Sequence, residues 1–393
     1  MNLANNGPTT IPQFPQPGSV TEGVFTRLLG RRTSRTFKAA YSWLRHEQKD
    51  RTTLPVGRKL QVWRQGFYAE SAILYDLLHN DPRNYLSDYA QVTRLGEVNS
   101  YNDYFKHKLV LRSFLLAMGF RQPGTVALLY DGRILNDPFG PDAKHVRPEE
   151  LVRRLRDSDG QFIVKPEDGA SGEGLFLLES SGGQLLRRRG KETAPFDVDR
   201  LVRHSEKRQE RGRTTLIEQR LEQGSFWQQL FPEATNTLGL LTLWLPSEPA
   251  PFVARAVQRI GTPATVPGDN WSDGGIAVPV DLASGTLGTG LIHDHGRQPS
   301  LKSVARHPVT DVEIAGKVLP HWDRIIDTVL RAAGSLPFNR MAAWDVLVTK
   351  DDEPVIVEAD GDGDIHVFQT HGGLLAEPRI RRFYEELGVI GSG

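Results

Sequence analysis

Three carboxylates near the end of the chain, Asp345, Glu358 and Asp360, lie on two short stretches rich in Val and Ile. These are Trp344-Asp345-Val346-Leu347-Val348 and Pro354-Val355-Ile356-Val357-Glu358-Ala359-Asp360. Each reads as a β-strand, and Asp351-Asp352-Glu353-Pro354 between them is turn chemistry. Side chains alternate along a strand, so Glu358 and Asp360 share a face, and pairing as a hairpin brings Asp345 towards them. Carboxylates gathered on an apolar hairpin repel one another unless a cation sits between them. An all-oxygen set suits Mg²⁺, with Mn²⁺ as a substitute, because Mg²⁺ takes one or two carboxylates plus substrate phosphates.

Such a metal site calls for phosphate binders, and Gln161 to Leu178 supplies candidates. Phe162-Ile163-Val164-Lys165 is a buried strand ending in a lysine, and Gly169, Ser171, Gly172 and Gly174 follow in a glycine-rich turn. Glycine lets backbone amides approach an anion closely, and successive amides form an anion-binding nest. The lysine adds a point charge for phosphate. No Gly-Lys-Ser/Thr follows, and the turn leads into a strand rather than a helix, so this is neither a Walker loop nor a dinucleotide fingerprint. Taken alone, a glycine-rich hairpin is as well read as a plain turn.

The elements that hold these groups come from a chain of 393 residues, long enough for two or three domains. Lys and Arg number 48, as do Asp and Glu, so bulk charge steers the chain to neither nucleic acid nor membrane. The absence of cysteine excludes disulfides, thiolate nucleophiles and cysteine-ligated metals. Met1 to Ser19 is polar, without the apolar core of a signal peptide. The longest apolar run, about Leu238 to Leu245, is far short of the ~20 residues of a membrane span. These features predict a soluble, cytoplasmic protein of mixed helix and strand.

Residues 1–20 read as a disordered tail, 21–100 as a helical region and 101–158 as a linking subdomain. The basic cluster Arg31, Arg32, Arg35 and Lys38 reads as a solvated helix face. Tyr104 to Met118 is helical, with Gly119 as its stop, and Pro123 to Tyr130 is a strand. Residues 180–213, including Arg187-Arg188-Arg189, read as two loops around one helix. Strands follow at Thr214–Glu222, Leu238–Trp244 and Phe252–Gly261, the last with Arg255 and Arg259 on one face. Asp269 to Gly275 is a polar loop whose Trp271 could line an acceptor pocket, and His293-Asp294-His295 also reads as loop. Apolar residues from Gly316 to Ala333 keep helical spacing and predict an amphipathic helix.

The order of these parts resembles the ATP-grasp fold: a lysine strand, a glycine-rich hairpin, Ile217-Glu218-Gln219-Arg220-Leu221, a helix, an Asp strand and a Glu-x-Asp strand. Further residues make the chain similar to the sugar-transfer-associated branch over about residues 65 to 385. They are Tyr85-Leu86-Ser87-Asp88, Asn99 with Lys108, Phe162-Ile163-Val164-Lys165-Pro166, Asn236-Thr237 and Arg259-Ile260-Gly261. Asp269-Asn270, Gly274-Gly275-Ile276, His307-Pro308 and Trp344-Asp345-Val346 complete the set. The resemblance implies an α/β (α+β) fold in which two α+β subdomains clasp ATP after a helical N-terminal region. A flap subdomain falls at about 159–220 and a catalytic subdomain at about 221–393.

By the same resemblance, Lys108 and Lys165 bind phosphates, and Gly169, Ser171, Gly172 and Gly174 form the flap. Glu218, Gln219, Arg220 and Leu221 meet adenine, Glu222 meets the ribose, and Asp345, Glu358 and Asp360 hold Mg²⁺. Two positions depart from the family pattern. The last metal position, usually Asn, is Asp360, with Asp362 and Asp364 beside it. An arginine common two residues before the first metal Asp is replaced by Ala343, so its role falls to Arg259 or Arg340.

The implied activity is ADP-forming ligation of a small-molecule carboxylate to an amine through an acyl phosphate, in natural-product, polysaccharide or peptide biosynthesis. Lys165, Arg259 and Arg340 are its catalytic candidates, and a homodimer is common for the fold. Two other readings stay open at this level. One is a kinase acting on a small-molecule hydroxyl, with His293, His295, His366 or His371 as base. The other is a nucleotide-binding protein without catalysis.

Overall fold

The computed structural model describes residues 41, 43, 45–48 and 52–391, apart from 159, 169–171, 173, 207–213, 295–299 and 364. The chain divides into two compact units, Met1–Lys49 and Asp50–Gly393. In the first, the described residues 41, 43 and 45–47 are helical; the basic cluster expected at Arg31 to Lys38 lies outside the described residues. Both sheets and the helices packed on them belong to the second unit.

Two antiparallel sheets carry the architecture. The first contains β1 (Thr125–Tyr130), β2 (Arg133–Asn136), β3 (Lys144–Val146), β4 (Gln161–Pro166), β5 (Phe176–Ser181), β6 (Gln184–Arg189), β7 (Glu192–Pro195) and β8 (Thr215–Gln219). Its order is β3-β2-β1-β8-β4-β5-β6-β7, which seats β8 between β1 and β4. Asp131-Gly132 joins β1 to β2 with φ of 51° and 70°, and Gly182-Gly183 joins β5 to β6 with φ of 57° and 76°. Positive φ at both central residues matches the twist of a two-residue hairpin loop. Leu151 and Leu155 of helix Pro148–Asp157 pack on Ala127, Leu129, Phe162, Val164, Leu178 and Ile217, forming the core on one face of this sheet.

The second sheet contains β9 (Leu238–Leu243), β10 (Phe252–Ile260), β11 (Ile276–Pro279), β12 (Gly290–Asp294), β13 (Ser300–Val304), β14 (Met341–Val348) and β15 (Pro354–Asp360), in the order β13-β12-β11-β10-β9-β14-β15. Strand alternation divides β14 between two cores. Trp344, Val346 and Val348 pack with Ile325 and Val329 of helix Trp322–Gly334. Met341 and Ala343 pack on the other side with Phe67, Tyr75, Leu86, Phe383 and Tyr384. Helices Val56–Arg64 and Ala69–Leu74, near the start of this unit, and Ile365–Gln369 and Pro378–Glu386, near its end, contribute to that second layer.

Several expectations are revised. The helix expected from Gly316 begins only at Trp322, because Pro320 and the left-handed His321 (φ 58°) precede it, and Val318 stands exposed. The segment 180–213 holds β6 and β7 besides its helix, Val198–Ser205. His293 lies within β12 and is buried against Trp271, with ring centroids 5.2 Å apart. Trp271 is itself buried and donates its indole N–H to the Leu291 carbonyl, so it belongs to the core rather than to an open acceptor pocket. Among the described residues, no helix is long and apolar enough to cross a membrane.

Candidate active site

The acidic hairpin forms as the alternation requires, with one refinement. β14 pairs with β15 so that Asp345 faces Glu358, while Ala343 faces Asp360, and a bulge interrupts the register between Asp345 and Val346. Asp345 and Glu358 are therefore direct cross-strand neighbours. Asp360 stands two pairs further along, exposed, with its Oδ1 accepting the amide of Asp362. Like charges opposite one another destabilise a sheet, and here each carboxylate has a cation. Arg259, from β10, donates to Asp345 at 2.5 Å, and Lys108 Nζ lies 3.0 Å from Glu358.

Arg259 is held from behind as well. Asp269 accepts the Thr237 amide at 2.6 Å and the Thr237 hydroxyl at 2.7 Å, and its other oxygen lies 3.5 Å from Arg259 Nε. The Asp345 carboxyl is raised to about 6: burial is the largest cause, Arg259 pulls it down, and Glu358 and Asp269 add to the rise. A carboxylate this reluctant to ionise gains from a divalent cation. Two carboxylates facing a cleft suit Mg²⁺, which keeps the rest of its shell for water and phosphate oxygens. Asp345 and Glu358 fit that ion, and Asp360 sits at the edge of the set. Among the described residues, no group of three or more acidic or histidine side chains forms a ready metal cage.

The first sheet faces this cluster across a cleft lined by Ile163, Lys165, Glu218 and Leu221 on one side, and by Arg259, Asp345, Leu347 and Glu358 on the other. Lys165 ends the apolar run of β4 as expected. Its Nζ lies 2.9 Å from Glu218 Oε2, while Arg112 takes Oε1 at 2.6 Å. Burial pushes Glu218 up, but Lys165 and Arg112 together outweigh it and leave the carboxyl below its ordinary value. Glu218 is thus a buried anchor whose side chain fixes Lys165, on the strand expected to meet adenine. The expectations for that strand did not include Arg112. Its signal was a basic residue between Leu111 and Leu115, on the buried side of helix Lys108–Ala117.

Around this core, Gln219 and Leu221 line the cleft. Arg220 turns away, donating to the Gln161 side chain and the Pro232 carbonyl. Glu222 is exposed and paired with Lys350 at 3.0 Å. Gly172 and Gly174 take φ of 69° and 74°, and a Cβ on Gly174 would lie 2.7 Å from Pro166 Cγ, so only glycine fits there unstrained. Gly169 and Ser171 lie outside the described residues, as do His295 and Asp364. Arg340 is not brought to the cluster; its guanidinium contacts the Trp244 carbonyl at 3.4 Å. His366 bonds to Tyr75 at 2.8 Å and lies 3.6 Å from Asp88, away from the described cleft lining.

A family model described as sugar-transfer associated ATP-grasp matches residues 93–384. No curated protein matches the chain. Among solved structures, the chain is similar to a D-cycloserine synthetase, at 13% identity over 72% of this chain and 70% of that one, with a TM-score of 0.39. It is similar to D-alanyl-alanine synthetase A from Vibrio cholerae at 8% identity over 73% and 65%, with a TM-score of 0.39. For an L-amino acid ligase from Bacillus licheniformis the figures are 12% over 70% and 42%, with a TM-score of 0.33. The match spans less than two thirds of these last two chains.

Proposed function

Because the chain belongs to the sugar-transfer-associated ATP-grasp family, we propose that it is an ATP-dependent ligase that joins a small-molecule carboxylate to an amine. The observation that carries this reading is the array of charges in one cleft: Asp345 with Arg259, Glu358 with Lys108, and Lys165 opposite, anchored by Glu218. In this reading residues 159–220 serve as the nucleotide flap and 221–393 as the catalytic part.

Lys165 and Lys108 neutralise phosphate oxygens of ATP, and the flap glycines bring backbone amides close to them. Asp345 and Glu358 hold Mg²⁺, which supplies charge neutralisation at the phosphates. An oxygen of the substrate carboxylate attacks the γ-phosphorus in line and ADP leaves, giving an acyl phosphate. The amine nitrogen then adds to the acyl carbon, phosphate departs, and the amine loses a proton. Arg259 stabilises the transferring phosphoryl group and the tetrahedral oxyanion, which gives it the role of the arginine replaced by Ala343. Positioning and charge stabilisation do the catalysis, and no side-chain nucleophile is required.

Transfer to a hydroxyl would need a base within hydrogen-bonding reach of it, and no histidine is among the described residues lining the cleft. The test is turnover of ATP with Mg²⁺ and pooled carboxylates and amines, with hydroxylamine as the trap. Substrate-dependent ADP and phosphate, with a hydroxamate formed, is the expected outcome. A phosphorylated acceptor without free phosphate, or AMP as product, would refute the reading.

A further inference from the structure

The triplet Arg187-Arg188-Arg189 lies on β6, and strand alternation sends its members to different sides. Arg188 lies opposite Leu177, which lies opposite Ile163, which lies opposite Glu218. It therefore shares the cleft-side face, where it forms an ion pair with Glu233. Arg187 lies opposite Leu178, a member of the core under the helices, so Arg187 and Arg189 belong to the other face. There they meet Arg200 and Arg203 of helix Val198–Ser205, across a groove of about 740 Å³.

The charge in this groove is poorly compensated. Four arginines line it against two carboxylates, Glu192 and Asp197, in a chain whose overall charges balance. Asp197 is engaged as the helix cap, accepting the Arg200 amide at 2.8 Å, and lies 4.0 Å from Arg203. Arg187 and Arg200 make no ion pair among the described residues, and Arg189 reaches only the Gly172 carbonyl, at 3.5 Å. Phe176 and Phe196, with ring centroids 6.3 Å apart, add an apolar wall.

We propose that this groove is a second anion site, separate from the nucleotide cleft, that takes a small phosphorylated ligand. The planar guanidinium fork binds phosphate through paired hydrogen bonds. Arginines from two opposed walls match a tetrahedral dianion better than a single planar carboxylate. The volume falls in the range of small-ligand pockets, roughly 300–1,000 Å³, and the phenylalanines would meet the uncharged part of the ligand. The groove also reaches Pro166, Gly174 and Leu175, so a ligand there touches the base of the flap.

The test is titration calorimetry with inorganic pyrophosphate as the probe, on the full chain saturated with Mg²⁺ and a non-hydrolysable ATP analogue. One saturable site per chain is expected to remain. The double substitution Arg187→Gln with Arg200→Gln should weaken it at least tenfold, and Arg188→Gln, on the same strand but the other face, should change it less than twofold. Arg200→Glu alone, at an exposed position, should weaken it at least tenfold as well, should the double variant fail to fold. Loss of binding once the cleft is filled, non-saturable heats, or equal effects of the Arg188 and Arg200 changes would overturn the proposal. The activity plays no part in this readout, so failure of the ligase reading leaves it unaffected.

Discussion

Replacing Glu218 with Gln tests whether the nucleotide side of the cleft is held by a buried ion triad. The side chains of Glu218 and Arg112 are 3% and 4% exposed, and that of Lys165 is 12% exposed. The substitution keeps the shape but removes the charge, leaving Arg112 with no carboxylate partner and little water. Removing one member of a buried pair costs about 3–5 kcal/mol. Lys165 opens onto the cleft and recovers solvation, so the loss should fall within that range rather than double it. Urea unfolding followed by tryptophan fluorescence would read it as a lower midpoint of the first transition. A double variant, Arg112→Met with Glu218→Met, removes the stranded charge and should regain most of the loss, since an apolar replacement of a buried pair is often neutral. A loss below about 1 kcal/mol for Glu218→Gln, on the scale of an exposed pair, would refute the reasoning, as would additive effects in the double variant.

Lys165→Ala should weaken Mg-ATP binding by about 10- to 100-fold, as expected for loss of a charge-assisted bond worth about 1.5–3 kcal/mol, measured by calorimetry. Arg259→Gln should lower kcat by about 10²–10³-fold, the scale of one lost oxyanion donor; Arg340→Gln should leave it within about threefold, and the reverse ranking in steady-state kinetics would exchange their roles. Gly174→Ala should destabilise the protein by roughly 1–2 kcal/mol from positive φ alone, with the Pro166 contact adding to it, read in the same urea assay. His371 is lowered from its ordinary 6.5 to about 4, first by burial and then by Arg255, against the Ala277 carbonyl that favours its charged form. Its stabilising contribution is therefore complete above pH 6.5 and is lost as pH falls towards 4, by up to about 3 kcal/mol. In His371→Asn that pH dependence should flatten, which urea midpoints at pH 7 and pH 4.5 would detect.

The hairpin of β14 and β15 was legible because Val and Ile runs fix strand identity, and alternation fixes which carboxylates share a face. The bulge after Asp345 depends on the paired strand, and the sequence carries no mark of it. β6 and β7 were hidden because arginine and glutamate mask the strands at the outer end of the first sheet, where solvent is close. Lys165 could be found from its place at the end of an apolar run. Arg112 carried only a weak mark, its place on the apolar side of a helix, and an arginine there reads as a surface residue until a carboxylate from another strand reaches it. Trp271 and His293 misled for the opposite reason: polar neighbours in sequence surround side chains that the tertiary structure buries.

Helix Lys108–Ala117 contributes Lys108 to Glu358 of the second sheet and Arg112 to Glu218 of the first. Those two cations are one helical turn apart, so they project from the same side. The spacing of the two halves of the cleft is thereby written into a single turn of backbone, much as a gear tooth sets the distance between two wheels. Inserting one residue between Lys108 and Arg112 would rotate one cation by about 100° relative to the other. Only one of the two sheets could then keep its partner, even though every residue of both sheets would be unchanged.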